Sequence, residues 1–548
     1  MDSSGISLSH QHLERVPDAM NLMSYKALVK YKTMDDAPDE TLFQIVSYCD
    51  KRTLLVLATV NKRLSAITML LIWRDLPSPA PLMRLVPNYF SMQKIPSQSC
   101  DLPYLERERA RCMVPTSLAD DGPPPNLSKD YPRVLHFASL VRTLLLYPID
   151  GLCYYVAQHG QATTAQHITM LVTWGAFNLF AQSLALLPDR PFKRLQHLEV
   201  NSIKEATFQG RLLSRFISPS TTTLVTHCPV SQMGAVVYGS AIQSLSYREQ
   251  PLFYGEVAPH VDVLHKPSLA IFAQMPNFLR ELVLYLHYGR GLGAFLRRGA
   301  HTLRVLDIEI GKLVDRTTDY GLRRLQQLTV RNSSAAFARS LVGSPSLEQI
   351  HLSGLVVGDS SEMRTIFTRL GRECFPTVLH VVRVQERFPS RGSTSWNVSL
   401  LDLAPLLPFV GLTRLEICAS ADIVLWDADY DSFVPSWPNL RVFKLQSYDA
   451  SSRPPSLQQP VASLAALIPF AVSCHQLREL SLPLHVDAVP ELQSGLALGE
   501  CCLTTLDLGT RSVMGVEVDP MAVGGFLRAL FPVLFDLDIT PKGEDVDT

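Results

Sequence analysis

The chain has 548 residues, which is more than one hydrophobic core normally holds, so several domains or an elongated repeat array are expected. Hydrophobic residues make up 47% of the sequence and charged residues 18%, a balance that excludes global disorder and predicts extensive burial. The formal net charge of −1 gives no electrostatic reason to expect binding to nucleic acid or to an anionic membrane.

Residues 1–34 carry few apolar residues in any regular period, and we expect a mobile leader there. This leader lacks the charged and then apolar layout of a signal peptide. The ten cysteines are scattered without a Cys-x-x-Cys pair, which fits neither a disulfide framework nor a zinc site. A cytoplasmic or nuclear location is therefore expected, with no metal and no cofactor.

Three short apolar runs follow between residues 37 and 73, separated by polar or charged residues. Pro38 suits a helix start, because the first N–H groups of a helix have no internal partner, and Asp39 and Glu40 favour the positive end of the helix dipole. Apolar residues recur at helical spacing in the three runs: Leu42, Ile45, Val46 and Cys49; Leu54, Leu55, Leu57, Ala58 and Val60; Leu64, Ile67, Leu71 and Trp73. Three short helices are predicted, and they must pack on one another or on a partner to be stable.

This stretch resembles an F-box, the helical module that joins a substrate receptor to a Skp-type adaptor in SCF-type cullin ubiquitin ligases. The resemblance lies in the Pro-x-Glu start at Pro38 and in the Leu-x-x-Ile-x-Ser-Tyr sequence that begins at Leu42. It continues in the Leu-Leu pair at Leu54, the Val-Asn-Lys-Arg-Leu sequence from Val60 and the closing Trp73. A short N-terminal F-box before a long irregular region is similar to the expanded F-box families of fungi.

The resemblance implies an F-box over residues 35–76 that binds a Skp-type adaptor and, through it, a cullin. Ala37 and Cys49 stand where the family usually has leucine, and each smaller side chain forgoes about 1–2 kcal/mol of apolar burial. A reduced adaptor affinity is therefore expected. The residues that the resemblance assigns to adaptor binding are Pro38, Glu40, Leu42, Ile45, Val46, Leu54, Leu55, Leu57, Val60 and Leu64.

Proline recurs from Pro77 to Pro132, and because proline fixes φ and removes a donor, a semi-rigid linker with little regular structure is predicted over 77–132. Residues 151–188 then contain no Asp, Glu, Lys or Arg. Polar interruptions at Thr173 and Asn178, together with helical spacing of the apolar residues, favour a buried core helix over 168–187 rather than a membrane span.

A pattern of apolar residues at a first position, three residues on and five residues on recurs from residue 141 onwards. The position between the last two is mostly polar, which predicts a short strand with one buried face. Helical stretches are predicted between the strands, at 294–298, 335–341, 363–370, 461–472 and 526–531. The pattern occurs at Val141/Leu144/Leu146, Leu195/Leu198/Val200, Leu279/Leu282/Leu284, Leu303/Leu306/Ile308, Leu325/Leu328/Val330, Leu347/Ile350/Leu352, Leu412/Leu415/Ile417, Leu440/Phe443/Leu445, Leu477/Leu480/Leu482, Leu503/Leu506/Leu508 and Leu534/Leu537/Ile539.

Strands and helices that alternate every 20–40 residues or so are typical of a solenoid. The pattern resembles the leucine-rich repeat, although the Asn or Cys that the family carries after its last core leucine is absent. The predicted fold is α/β: a short N-terminal three-helix F-box, then an irregular leucine-rich-repeat-like α/β solenoid over 133–540 and a tail over 541–548. Residues 204–278 give no clear pattern, and an unrelated α/β domain with ordinary amphipathic strands is the alternative.

Two further segments are candidates for binding. The glycines of Gly289-Arg-Gly291-Leu-Gly293 could approach a phosphate, but the third glycine is one residue too early for a dinucleotide fingerprint, and a tight turn explains them as well. Trp426, Tyr430, Phe433 and Trp437 alternate with aspartates in a loop-like insertion. They are a weak candidate for a substrate-binding patch that takes a basic partner, and an ordinary loop packed on the core is the alternative.

The sequence thus predicts a non-catalytic substrate receptor of an SCF-type ligase, with an unidentified target protein bound by the repeat region. A scaffold that binds the adaptor without ubiquitylation is a second possibility. An enzyme that uses the Gly289–Gly293 turn is a third, and no catalytic motif supports it.

Overall fold

The computed structural model describes residues 37–76, 78–86, 89–94, 111–116, 126–146, 148–149, 152–156, 168–187, 190–200, 216–226, 241–248, 279–288, 292–312, 319–357, 360–387, 396–419, 423–447, 462–492, 501–508, 513–514, 518–534 and 536–538. The predicted leader at 1–34 and tail at 541–548 lie outside these residues. Internal contacts divide the chain into an N-terminal unit, Met1–Glu199 with Leu212–Thr221, and a repeat unit, Val200–Arg211 with Thr222–Thr548.

Three helices open the N-terminal unit, as predicted: α1 (Asp39–Ser47), α2 (Lys51–Val60) and α3 (Lys62–Arg74). The polar interruptions between them are N-caps. The Asp50 carboxylate accepts a hydrogen bond from the Thr53 N–H at 2.8 Å, and the Asn61 side chain accepts one from the Leu64 N–H at 2.8 Å. Each cap satisfies an N–H that the helix itself leaves without a partner, which fixes where α2 and α3 begin.

The rest of the N-terminal unit combines short helices with two sheets. Strands β1, β4 and β8 are neighbours in one sheet, and the other sheet has the order β2-β3-β7-β6-β5 with mixed strand directions. The elements are β1 (Asp75–Leu76), α4 (Ala80–Met83), β2 (Phe90–Lys94), β3 (Arg111–Pro115), α5 (Leu127–Asp130), α6 (Pro132–Leu140), β4 (Thr143–Leu146), β5 (Pro148–Ile149), β6 (Leu152–Val156), β7 (Ile168–Thr173), α7 (Trp174–Ala185) and β8 (His197–Val200).

Two sequence predictions need correction here. The described parts of 77–132, predicted to have little regular structure, contain α4, α5 and the antiparallel pair β2/β3. The helix predicted over 168–187 begins only at Trp174, because residues 168–173 form β7 between β3 and β6. Within the described residues no helix is both long and apolar enough to cross a membrane.

The repeat unit contains a parallel sheet in which each strand pairs with its neighbours along the chain, as in a solenoid. Residues at equal repeat positions are in register: Leu306 lies beside Leu328, and Leu328 beside Ile350. The strands, in sheet order, are β9 (Thr223–Thr226), β10 (Ser244–Arg248), β11 (Glu281–Tyr288), β12 (Val305–Lys312), β13 (Gln327–Arg331), β14 (Gln349–Leu355), β15 (Val381–Glu386), β17 (Arg414–Ala419), β19 (Val442–Ser447), β20 (Glu479–Ser481), β22 (Thr505–Asp507) and β24 (Asp536–Asp538).

Helices and short parallel pairs connect these strands. The pairs are β16 (Val398–Ser399) with β18 (Ile423–Val424), and β21 (His485–Val486) with β23 (Val513–Met514). The helices are α8 (Leu292–Gly299), α9 (Ala335–Leu341), α10 (Ser360–Glu373), α11 (Leu400–Leu403), α12 (Asp427–Phe433), α13 (Ile468–Ser473) and α14 (Pro520–Leu530), with 3₁₀ turns at Ala404–Leu406, Val434–Ser436 and Leu464–Leu467.

The predicted α/β fold is confirmed, and every segment with the repeated apolar pattern contains a strand. The apolar positions of the pattern line the core: Leu325, Leu328 and Val330, for example, are at most 1% exposed. Two strands, β9 and β10, lie in the region 204–278 that the sequence left undefined, and β15 is a further repeat strand.

Candidate protein-binding surfaces

The three-helix segment has an internal core made of residues that the sequence assigned to adaptor binding. Leu42, Val46, Leu54 and Leu64 are at most 7% exposed and pack together with Ala37. These four leucine and valine side chains are therefore already covered within the chain, and their assignment to adaptor binding stays a prediction. Their contribution is to hold α1, α2 and α3 together.

Three apolar side chains of α2 are exposed. Leu55, Val56 and Val60 are 53%, 64% and 61% exposed, and Val56 and Val60 are one helical turn apart on the same side. We call these three residues the α2 strip. Large apolar side chains exposed next to one another in this way are typical of a protein-binding surface. Val56 was missed by sequence reasoning, although its spacing from Val60 was visible.

The remaining predicted adaptor residues divide between surface and core. Pro38 and Glu40 are exposed at the start of α1, whereas Ile45 and Leu57 are half-buried. Tyr48, which directly follows α1, is a further exposed aromatic side chain, at 59% exposure. The adaptor-binding role of all these residues stays a prediction.

An ion pair fixes the start of α1 to the start of α3. The Arg63 guanidinium contacts the Asp39 carboxylate at 2.7 Å and donates a second hydrogen bond to the Ala37 carbonyl oxygen at 2.5 Å. Ala37 is 1% exposed, so the small residue at this position is a core residue of the segment. Cys49 is half-buried, and burial, assisted by the Asp50 charge, raises the pKa of its thiol.

The aromatic segment at 426–437 is a folded part of the repeat core, which corrects the idea of an exposed four-residue patch. Tyr430, Phe433 and Trp437 are fully buried, and the Trp437 ring N–H donates to the Leu406 carbonyl at 3.2 Å. The alternative of a segment packed on the core is confirmed for these three. Trp426 is the exception at 60% exposure.

The aspartates of this segment also have structural roles. Asp427 accepts hydrogen bonds from both the N–H and the hydroxyl of Ser463 at 2.7 Å, and Asp429 accepts one from the Trp426 N–H at 2.8 Å. Burial, with the nearby charges of Asp427 and Asp429, raises the pKa of the Tyr430 hydroxyl. The acidic side chains therefore cap α12 and connect it to the next repeat.

The outward side of the repeat sheet carries ion pairs between neighbouring strands. Arg331 on β13 makes two hydrogen bonds to Asp307 on β12, at 3.0 and 2.9 Å. Further along, Arg383 on β15 contacts Glu416 on β17 at 2.8 Å. Each such pair neutralises two charges on adjacent strands.

His351 lies on β14 between these pairs, in register with Thr329 and Arg383. Burial lowers the pKa of the His351 imidazole, and the positive charges of Arg383 and Arg331 lower it further. The opposing effects of Glu416 and Asp307 are weaker. The ring is therefore held in its neutral form more strongly than an ordinary histidine.

The proposed nucleotide turn gains no support. Residues 289–291 lie outside the described residues, and Gly293 is a buried residue of α8. A side chain at Gly293 would come within 3.2 Å of the Tyr320 ring, so close packing explains this glycine. No cluster of three or more metal-binding side chains occurs within the described ranges.

Comparisons with known proteins show only weak structural similarity. No protein-family model and no curated protein sequence matches the chain. Among solved structures it is similar to internalin InlF from Listeria monocytogenes, with 10% identity over 69% of this chain and 92% of that chain, at a TM-score of 0.33. It is also similar to the yeast Rad7 and Elc1 complex, with 16% identity over 59% of this chain and 79% of that chain, at a TM-score of 0.28. At these values neither likeness identifies a family or a function.

Proposed function

We propose that this chain is the substrate-recognition subunit of an SCF-type cullin ubiquitin ligase. Its three-helix segment binds a Skp-type adaptor, and its repeat unit binds a target protein. The chain contributes no catalytic group: it brings a target close to a ubiquitin-loaded partner, and proximity accelerates the transfer. A cytoplasmic or nuclear location is part of the proposal.

The observation that carries the proposal is the α2 strip. Leu55 and Val60 belong to the F-box-like sequence and are exposed, although side chains of this kind are normally buried in a monomer. The segment that presents them is internally packed around Leu42 and Val46 and capped at Asp50, so the strip is held on a formed helix. Because the strip is preformed, an adaptor that covers it need not order α2 first.

The repeat unit supports the second half of the proposal. Its parallel sheet presents a row of outward side chains, one set from each strand, on a scaffold whose inward positions are closely packed. Repeated strands of this kind create extended surfaces suited to binding another protein. The target itself is a protein of unassigned identity, and cofactors play no part in this function.

Co-purification of the full chain with adaptor and cullin tests the proposal. We expect wild-type protein to retain both, and a Val56→Glu/Val60→Glu variant to lose both, because carboxylates on the strip would be buried without partners. Leu70→Glu is the control, since Leu70 is an exposed apolar residue on a different helix, α3. Adaptor retained without cullin would support the scaffold alternative, and adaptor retained by the double variant would contradict the proposed interface.

A further inference from the structure

A row of residues at the start of the repeat strands is positively charged over a short distance. Arg280 and Arg304 directly precede β11 and β12, and they are neighbours because the Arg304 N–H donates to the Arg280 carbonyl at 2.7 Å. Gln326 follows in the same row, with its N–H 2.7 Å from the Arg304 carbonyl. Both arginine side chains are exposed.

Three further exposed arginines lie close to Arg304 along the chain. Arg323 and Arg324 are exposed in the turn that leads into β13, and Arg297 is exposed in the last turn of α8, just before Arg304. We call these five arginines the basic rim. Part of the Arg297 charge is stabilised by the negative end of the α8 dipole, but no helix end accounts for Arg280 or Arg304.

The basic rim differs from the polar sheet surface beside it. On that surface Arg331 and Arg383 each contact a carboxylate on the adjacent strand, at 2.9 and 2.8 Å. Within the described part of the chain, no carboxylate lies at ion-pair distance from any rim arginine. Like charges at neighbouring positions repel one another, and among the described residues no ion pair offsets the repulsion between Arg280 and Arg304.

On one side, the row of positions before the strands reaches an acidic residue. Glu348 occupies the next place in the row, half-buried, and accepts a hydrogen bond from the Gln326 side chain at 3.0 Å. The part of the row without an acidic residue, from Arg280 through Arg304 to Gln326, therefore covers three neighbouring strands, or roughly 10 Å, which equals about three residues of extended peptide. A long polyanion such as nucleic acid that ran along the row towards Glu348 would be repelled there.

We infer that the basic rim binds a short acidic segment of a partner protein, with the arginine guanidinium groups paired to its carboxylates. The planar fork of arginine matches a carboxylate with two parallel hydrogen bonds, which gives such a segment both affinity and orientation. Identifying this partner as the ligase target rests on the proposed function. The binding itself does not, because the rim belongs to the repeat unit and is tested without an adaptor.

The test is fluorescence anisotropy with the full chain and labelled hexaglutamate, hexaglutamine and hexathymidine probes at low salt. The variant is Arg280→Gln/Arg304→Gln. A matched control is Arg441→Gln/Arg478→Gln, which removes the same charge from equivalent neighbouring positions, where the Arg478 N–H donates to the Arg441 carbonyl at 2.8 Å. All four side chains are exposed, so both variants should keep the wild-type thermal midpoint.

We expect hexaglutamate to bind the wild type and the control alike, and the rim variant to bind it about tenfold more weakly or worse. Hexaglutamine should not bind. The inference is overturned if hexaglutamate does not bind, if the control loses as much affinity as the rim variant, or if hexathymidine binds more tightly than hexaglutamate. Failure of adaptor co-purification would leave these results unchanged, so the two proposals fail separately.

Discussion

The indole of Trp73 stacks on the ring of Phe137, with ring centroids 4.3 Å apart and an angle of 17° between the planes. Trp73 closes the F-box-like sequence on α3, and Phe137 lies on α6. Directly after Trp73, residues 75–76 form β1 and pair in parallel with Thr143 and Leu144 of β4. The F-box-like segment is therefore tied to the first repeat strand within the N-terminal unit, rather than separated from it by a free linker.

This contact predicts the effect of removing the indole. Trp73→Ala should lower the free energy of unfolding of the N-terminal unit by about 2–3 kcal/mol, because a half-buried aromatic side chain and its stacking partner are lost. Trp73→Phe should keep most of the stability, since a stacked ring remains. Hydrogen exchange of α3 and α6 under native conditions measures the change locally, and equal protection in wild type and Trp73→Ala would refute the role of the stack.

Replacement of the two tryptophans that flank α12 should affect the free energy of unfolding very differently. Trp437→Ala should destabilise the repeat unit by about 3–5 kcal/mol, because it leaves a large cavity and an unpaired Leu406 carbonyl. Trp426→Ala should change the unfolding free energy by less than about 0.5 kcal/mol, because that ring is exposed. Urea unfolding of both variants provides the comparison, and similar losses at the two sites would contradict the burial described here.

The sequence predicted the repeat strands correctly where all three positions of the repeat pattern are apolar. Leu303, Leu306 and Ile308 define a strand because alternate side chains along it are buried, and that alternation is visible in the sequence. β9 was missed because Thr221 and Thr226 take the first and last pattern positions. Both threonines are fully buried, and the Thr221 hydroxyl donates to the Leu195 carbonyl at 3.0 Å, a long-range contact that the sequence does not reveal.

The candidate site was predicted less well, again for a physical reason. Four apolar residues in succession, from Leu54 to Leu57, cover more than one side of α2, so hydrophobicity does not tell which side faces the core. Packing against α1 and α3 decides this, placing Leu54 inside and leaving Leu55 and Val56 outside. The aromatic residues of 426–437 were similarly ambiguous, because a loop-like sequence gives no measure of burial.

Helix packing in the repeat unit depends on a glycine at a close approach. A side chain at Gly371 on α10 would lie 2.5 Å from the Pro405 carbonyl oxygen, a backbone atom that cannot move without shifting the 3₁₀ turn. Gly371→Ala should therefore cost about 1–3 kcal/mol through overpacking. Its thermal midpoint, compared with that of the wild type, gives the measurement.

Gly524→Ala on α14 is the matched control for this substitution. A Cβ at Gly524 meets open space, and alanine is the better helix former, so a stabilisation of about 0.5–1 kcal/mol is expected. A loss of stability at Gly524 as large as that at Gly371 would contradict close packing as the reason why the two substitutions differ.

His351 should make the repeat unit sensitive to acid. The pKa of its imidazole is lowered from the ordinary value of 6.5, so the unfolded chain takes up a proton before the folded chain does. The stability contributed by the neutral ring is therefore present above about pH 6.5 and is lost as the pH falls towards the lowered pKa of the folded state. His351→Gln removes this effect.

Urea midpoints of the wild type and His351→Gln at about pH 7.5 and pH 5.5 test this expectation. The wild type should lose more of its midpoint between the two values than the variant, because the charges of Arg383 and Arg331 oppose protonation of the folded ring. Parallel losses in the two proteins would mean that His351 does not control this part of the pH dependence.

Adaptor binding through the α2 strip is the central claim, and calorimetric titration of a purified Skp-type adaptor into the full chain tests it most directly. We expect a one-to-one complex for the wild type and for Leu70→Glu. We expect affinity to be lost in Val56→Glu/Val60→Glu while the thermal midpoint is kept. No heat of binding with the folded wild type, or equal affinity of the strip variant, would contradict the account.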